Sequence, residues 1–199
     1  ISLKADLDFT DIVGFVPIGT EESPFNALTF EGNGHTVSGI ACELNEGYVA
    51  LFGVVKDTFI ENIKLTDSTF AGVSGVSALI GKATNVQVSY VTVDNVTLIA
   101  ADGCVGSVMA ISDEMSEIVY SISYDVLRED GAKVPFPSDG HAVINNSYCL
   151  AESHNATRGE MTLEQFESGE VGYLFSQIHS PTLRKYGGQE IGVDRYPYF

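Results

Sequence analysis

Short apolar runs recur along the chain at a fixed spacing. "GYVALFG" (Gly47 to Gly53) aligns with "GVSALIG" (Gly75 to Gly81), and the next step of 28 residues falls on Gly103, which opens "GCVGSVMA". A second column follows the first. "IENIKL" places Ile60, Ile63 and Leu65, and 28 residues later "VSYVTV" places Val88, Val91 and Val93. "VYSISY" gives Val119, Ile122 and Tyr124, slipped by three residues; upstream "VSGIAC" gives Val37, Ile40 and Cys42, and downstream "INNSYC" gives Ile144, Ser147 and Cys149. The unit is apolar-x-x-apolar-x-apolar, in five copies. Its last two apolar positions alternate, which is strand spacing. Val, Ile and Thr dominate, as pleated surfaces favour, and Gly and Asn punctuate between runs. Stretches such as "AGVSGVSALIGKATN" carry too many Gly and β-branched residues for a stable helix. Each copy is therefore two or three short strands joined by tight turns. One such coil cannot bury its apolar face, but stacked coils can. The pattern predicts an all-β, right-handed parallel β-helix with coils of about 28 residues. The alternative is a leucine-rich-repeat-like solenoid, whose convex-side leucine spacing the sequence lacks.

An open stack needs its ends covered. "ISLKADLDFTDIVGFVPIG" alternates Leu3, Ala5 and Leu7 and reads as the first strand and turn of the first coil. Near the other end, "EMTLEQFESGEVGYLFSQI" is the one good helical stretch, with Thr162 and Gln165 in a capping-box pattern. Ser168 can cap a second short turn carrying Val171, Tyr173, Leu174 and Phe175. The tail "KYGGQEIGVDRYPYF" reads as an extended aromatic strand with Pro197 at an edge. The expected organisation is a repeat region over 1–150 and a capping segment of the same domain over 151–199. Between them, residues 125–142 ("DVLREDGAKVPFPSDGHA") break the repeat and read as a polar excursion from the stack.

Within this frame "FEGNGHTVSGI" (Phe30 to Ile40) is a corner. A phosphate cradle would run from a strand through G-x-G-x-x-G into a helix, whereas here one strand ends at Phe30 and another begins at Thr36. The glycines supply turn geometry, and His35 satisfies the turn or caps the strand.

The run "PIG…PFNALTFEGNGHTVSGI…GYVALFGVV…FIENIKLTDS" resembles the GLUG-type repeat region of bacterial cell-surface, adhesin-like proteins. "EMTLEQFESGEVGYLFS…GQEIGVDRYPYF" is similar to the segment that closes such regions. The usual glycine before Gly-Asn-Gly is replaced within "NALTFEGNG", and the aromatic before Gly-Gln stands here as Tyr186, shifted by one glycine. The resemblance implies a part of a large secreted or surface-anchored protein, in company that includes accessory regions of IgA-cleaving metallopeptidases. It carries no catalytic residues.

Composition narrows the function further. The 199 residues are 44% hydrophobic, enough for a sizeable core. A formal net charge of −17, from 27 acidic against 10 basic residues, disfavours nucleic acid as a partner. No apolar run reaches the roughly 18 residues needed to span a membrane. The chain opens at Ile1 without a leader of the signal-peptide type, and reads as a mature fragment or excised domain from which targeting information has been removed. Cys42, Cys104 and Cys149 are too widely spaced for a metal or disulfide framework and read as small buried side chains.

Candidate chemistry is sparse. Asp6, Asp8 and Asp11 are closely spaced oxygens that could hold calcium, although solvated turn carboxylates have the same spacing. His35, His141, His154 and His179 make neither a close metal pair nor a nucleophile–base pair. Asp67 and Asp94 stand near matched rungs and, with Lys64, could mimic the acid pair of a β-helix lyase or glycosidase. Tyr48, Tyr90, Tyr120 and Tyr124 recur and could form a stacking surface for sugars or a protein; Phe52, Phe59 and Phe70 read as core. Thr66, Thr69, Thr92 and Thr97 make no regular array. The expected function is a non-catalytic adhesion, ligand-binding or spacer module, monomeric and without cofactor or structural metal, outside the cell or on its surface, facing an unidentified host or bacterial surface protein or glycan. The alternative is a carbohydrate-active enzyme on the same fold.

Overall fold

The structure, a computed structural model, describes residues 1–137, 141–178 and 187–199. Every pairing between its strands is parallel. The chain winds as an all-β solenoid of about five turns, consistent with a right-handed β-helix. One face stacks Thr29–Glu31, Phe52–Glu61, Ile80–Ser89, Glu117–Val119 and Val143–Asn145. A second stacks Leu7–Asp8, Thr36–Ser38, Lys64–Gly72, Thr92–Ala100, Ile122–Arg128, Tyr148–Leu150 and Glu160–Met161. A short third pairs Val76–Ser77 with Val105–Gly106. The rungs are joined by strand corners rather than convex-side helices, which sets aside the leucine-rich-repeat alternative.

Two inward columns carry the core. Phe30, Ile60, Val88, Ile118 and Ile144 stack on the first face. Val37, Leu65, Val93, Ser123 and Cys149 stack on the second, with Leu7 in register beyond Val37 but exposed at the open end. Two of the five sequence copies therefore need correction. Val37 pairs with Leu65 and not with Ile60, because the residue of its coil that stacks on Ile60 is Phe30. Four residues, Gly32 to His35, turn the corner there, where the next coil uses only Asn62 and Ile63. The fourth copy is Ile118, Ser121 and Ser123. Val119, Ile122 and Tyr124 sit one residue out of that frame and so point to the opposite side.

The corners are made by residues in the left-handed region. Asp57 and Asn85 share one corner column, with φ of 48° and 53°. Asp67, Asn95 and Asp125 share a second. Asn62, Tyr90, Tyr120 and Asn146 share a third. Asn and Asp tolerate this geometry because their short side chains bond locally. Here they also bond between coils: Asn85 Nδ2 donates to Asp57 at 2.7 Å and Asn95 Nδ2 to Asp67 at 2.6 Å. At corners the backbone ladder lapses, and buried serines take over. Ser68 accepts from Ile40 N–H, Ser116 from Val86 N–H and Ser121 from Val91 N–H, each from an adjacent coil.

Residues 125–142 prove to be more than an excursion. Asp125 to Arg128 finish the strand begun at Ile122, and the chain reverses so that Val134 N–H donates to Val126 O. Val134 and Phe136 then enter the core, fully buried, and the Phe136 carbonyl accepts from Val108 and Met109. The two prolines misled the sequence reading. They belong to the rung itself, with Pro135 O accepting from Ser107 N–H and Pro137 bridging Met109, and that rung closes the core over Gly106, where an added Cβ would meet Met109 O at 1.8 Å.

The C-terminal segment lies along the flank of the stack. Thr162 and Gln165 form the expected capping box on helix α1 (Leu163–Glu167). Helix α2 (Glu170–Ser176) is preceded by Gly169 at φ 82°, so Ser168 ends the first helix and does not cap the second. Phe166, Val171 and Phe175 bury themselves against Ile122, Tyr124, Leu150 and Met161. This explains the misread frame. The outward column Lys64, Thr92, Ile122, Tyr148 turns from polar to apolar where the helices cover it.

Candidate functional site

Of the N-terminal carboxylates, Asp6 and Asp8 are spent on turns, and Asp11 is exposed. Asp6 accepts from Thr36 N–H at 3.0 Å and lies 3.0 Å from His35 Nδ1, which ties the first strand to the Gly32–His35 corner. The Thr36 amide, then His35, holds its carboxyl below the usual aspartate range. Asp8 accepts from the hydroxyl and the amide of Thr10, and both lower its pKa. Among the described residues no group of three or more His, Cys, Asp or Glu side chains gathers as a metal site. Of the other histidines, His141 and His154 are exposed, and His179, like Tyr186, lies outside the described residues.

Asp67 and Asp94 do not share a rung. The register pairs Thr66 with Asp94, while Asp67 occupies the corner and bonds Asn95. The spacing of 27 is one short of the coil, and one residue exchanges a flank position for a corner. Asp94 instead meets the C-terminal tail. Tyr196 donates its hydroxyl to Asp94 Oδ2 at 2.8 Å, and Arg195 lies 3.7 Å from Asp94 Oδ1 and 2.7 Å from Asp125. The Arg195 guanidinium also lies over the Tyr124 ring at 4.6 Å, and Lys64 over the Tyr196 ring at 5.6 Å. Burial, then the Asp94 charge, pushes the Tyr196 phenol well up. This cluster has two acids, an arginine, a lysine and two tyrosines, yet its members are engaged with one another.

The tyrosine column shares that fate. Tyr90 and Tyr120 stack at 5.4 Å, and Phe199 meets Tyr90 edge-on. Tyr124 packs on Phe166 and Tyr196, and Tyr148 on Phe175. The expected stacking surface is therefore largely an internal seam between coil and tail. Sequence reasoning missed the partner, although the tail's "RYPYF" was its signal. Phe52 and Phe70 are core as expected. Phe59 is 48% exposed, because it points outward between Thr29 and Gln87. Thr69 pairs with Thr97, and Thr66 is buried, so the threonines form no flat face.

Tyr48 is the exception among the column tyrosines. It lines an open cavity of about 400 Å³ at the N-terminal coils. Val16, Pro17, Leu44 and Val54 supply an apolar wall; Glu21, Glu22 and Glu46 supply carboxylates. The ring is fixed from behind, since a Cβ on Gly75 would lie 2.3 Å from Tyr48 Cδ1. Lys82 lies 5.6 Å from its centroid and bonds Glu21 at 2.7 Å. That bond holds the Glu21 carboxyl below its usual range and raises Lys82. A turn closed by Thr20 N–H donating to Ser23 O presents Glu21 and Glu22. No sequence motif marked this site; its residues come from three separate segments.

No family model matches the chain, and no curated protein matches it. Among solved structures it is similar to one from Bacteroides ovatus, described as a "putative immunoglobulin A1 protease". The identity is 14%, the match covers 100% of this chain and 84% of that one, and the TM-score is 0.41. At those values the likeness carries no argument about activity.

Proposed function

We propose that the chain is a non-catalytic recognition module of a bacterial secreted or cell-surface protein. Its β-helix is the scaffold, and its N-terminal coils present the binding surface to a host or bacterial surface protein or glycan. The Tyr48 cavity carries this reading. It is concave, has an apolar wall and a fixed aromatic ring, and opens to solvent, as recognition sites do. The resemblance to GLUG-type surface repeats supports the extracellular setting. The acidic and basic groups that a β-helix lyase or glycosidase would deploy support it too, since Asp67, Asp94, Asp125 and Arg195 are occupied in corner and tail contacts.

The competing reading is a carbohydrate-active enzyme that uses the Asp94–Arg195–Tyr196 cluster. Incubating the protein with a panel of polysaccharides and measuring reducing ends and unsaturated products separates the two. No turnover is expected, and release of product from any polysaccharide would overturn the proposal.

A further inference from the structure

We propose that the Tyr48 cavity takes a basic side chain, lysine or arginine, from an exposed segment of a partner protein. This rests on the reading of the chain as a recognition module and gives that site its ligand chemistry. Three observations converge. The first is the wall: Val16, Pro17, Leu44 and Val54 make one side apolar, which suits a methylene stem. The second is unspent charge. Glu21 is neutralised by Lys82, but Glu22 and Glu46 line the same cavity and engage no hydrogen bond or ion pair among the described residues. The third is the surrounding field. A formal net charge of −17 draws cations toward the surface and gives no such help to a neutral sugar.

Shape and charge together choose the occupant. An apolar wall beside two unpaired carboxylates fits a side chain with an aliphatic stem and a cationic head. A small inorganic cation would use the oxygens and leave the wall idle. A sugar would use the ring, but Lys82 already lies over Tyr48. The approach of a cation also relieves the repulsion between neighbouring carboxylates, so binding is expected to weaken as salt rises.

The test uses the whole chain, uniformly labelled with nitrogen-15, titrated with three probes while backbone amides are followed. The probes are acetyl-Ala-Arg-Ala-amide, the same peptide with citrulline, which keeps the shape without the charge, and cellobiose. Saturable shifts confined to Thr20–Glu22 and Leu44–Tyr48 are expected with the arginine peptide, fading with added salt. The citrulline peptide is expected to bind at least about fivefold more weakly, as is the arginine peptide to the Glu22→Gln, Glu46→Gln double variant. Those glutamates make no bonds and repel one another, so the variant is expected to melt at or above the parent temperature, which separates lost binding from lost fold.

Equal shifts with citrulline, no shifts with the arginine peptide, or an unchanged double variant would overturn the assignment. Stronger cavity shifts with cellobiose would also overturn it while leaving a glycan-recognition module standing. Polysaccharide turnover alone strikes the underlying functional reading.

Discussion

Asn95 shows what a single residue does in this fold. It holds a left-handed φ of 53° and donates to Asp67 on the neighbouring coil. Ala there loses the bond and strains the backbone. Asn95→Ala is expected to cost about 1–2 kcal/mol, with Asn95→Gly recovering part of it; urea unfolding of the two variants measures the difference. His35 and Asp6 illustrate a pH-dependent contact. The Asp6 pKa is lowered on folding, so its contribution is fully present above the unfolded value of 3.8 and is lost as pH falls through the lower folded value. Protection of the Thr36 amide, measured as hydrogen exchange relative to its intrinsic rate, is expected to fall in the parent only as pH drops through that lowered folded value, and to be weak throughout in Asp6→Ala. The cysteines differ by position. Burial pushes the Cys149 thiol up to about 12 and raises Cys42, while Cys104 is only half-buried. A thiol reagent is expected to label Cys104 in the folded protein, and Cys42 and Cys149 only after unfolding.

At the scale of elements, two segments changed meaning once placed. The hairpin after Arg128 returns Phe136 to the core, so Phe136→Ala is expected to lower stability by about 3–5 kcal/mol. A solvated excursion would tolerate that change. The tail closes the tyrosine seam through Arg195, Tyr196 and Phe199. Tyr196→Phe keeps the ring and removes the donor to Asp94, at a cost of about 1 kcal/mol. Arg195→Ala leaves Asp94 Oδ1, which is buried and makes no hydrogen bond, without its nearby cation as well, and is expected to cost more. Thermal unfolding of both variants gives the order. Their tyrosine fluorescence reports whether the seam has opened.

At the scale of the molecule, charge and stacking oppose each other. Coils add a continuous apolar column, while 27 acidic residues on one narrow solenoid repel. Screening relieves that repulsion, so the melting temperature is expected to rise with sodium chloride from low to moderate ionic strength. A flat or falling profile would show that local pairs such as Lys82–Glu21 outweigh the net field.

The fold was legible in the chain because a β-helix repeats one demand. Val88, Val91 and Val93 stand 28 residues after Ile60, Ile63 and Leu65 because each coil must place an inward side chain above its neighbour. The period, the parallel stacking and the capping box at Thr162 follow from local pattern and backbone chemistry. What the tertiary structure decided were matters of facing and of distance. A one-residue shift of frame sends Ile122 and Tyr124 outward, and only the helices and tail that cover them reveal why they are apolar. The Tyr48 cavity gathers Val16, Glu46 and Val54 from segments that share no motif. Period fixes which residues stack, but contacts between distant segments fix which surfaces stay open.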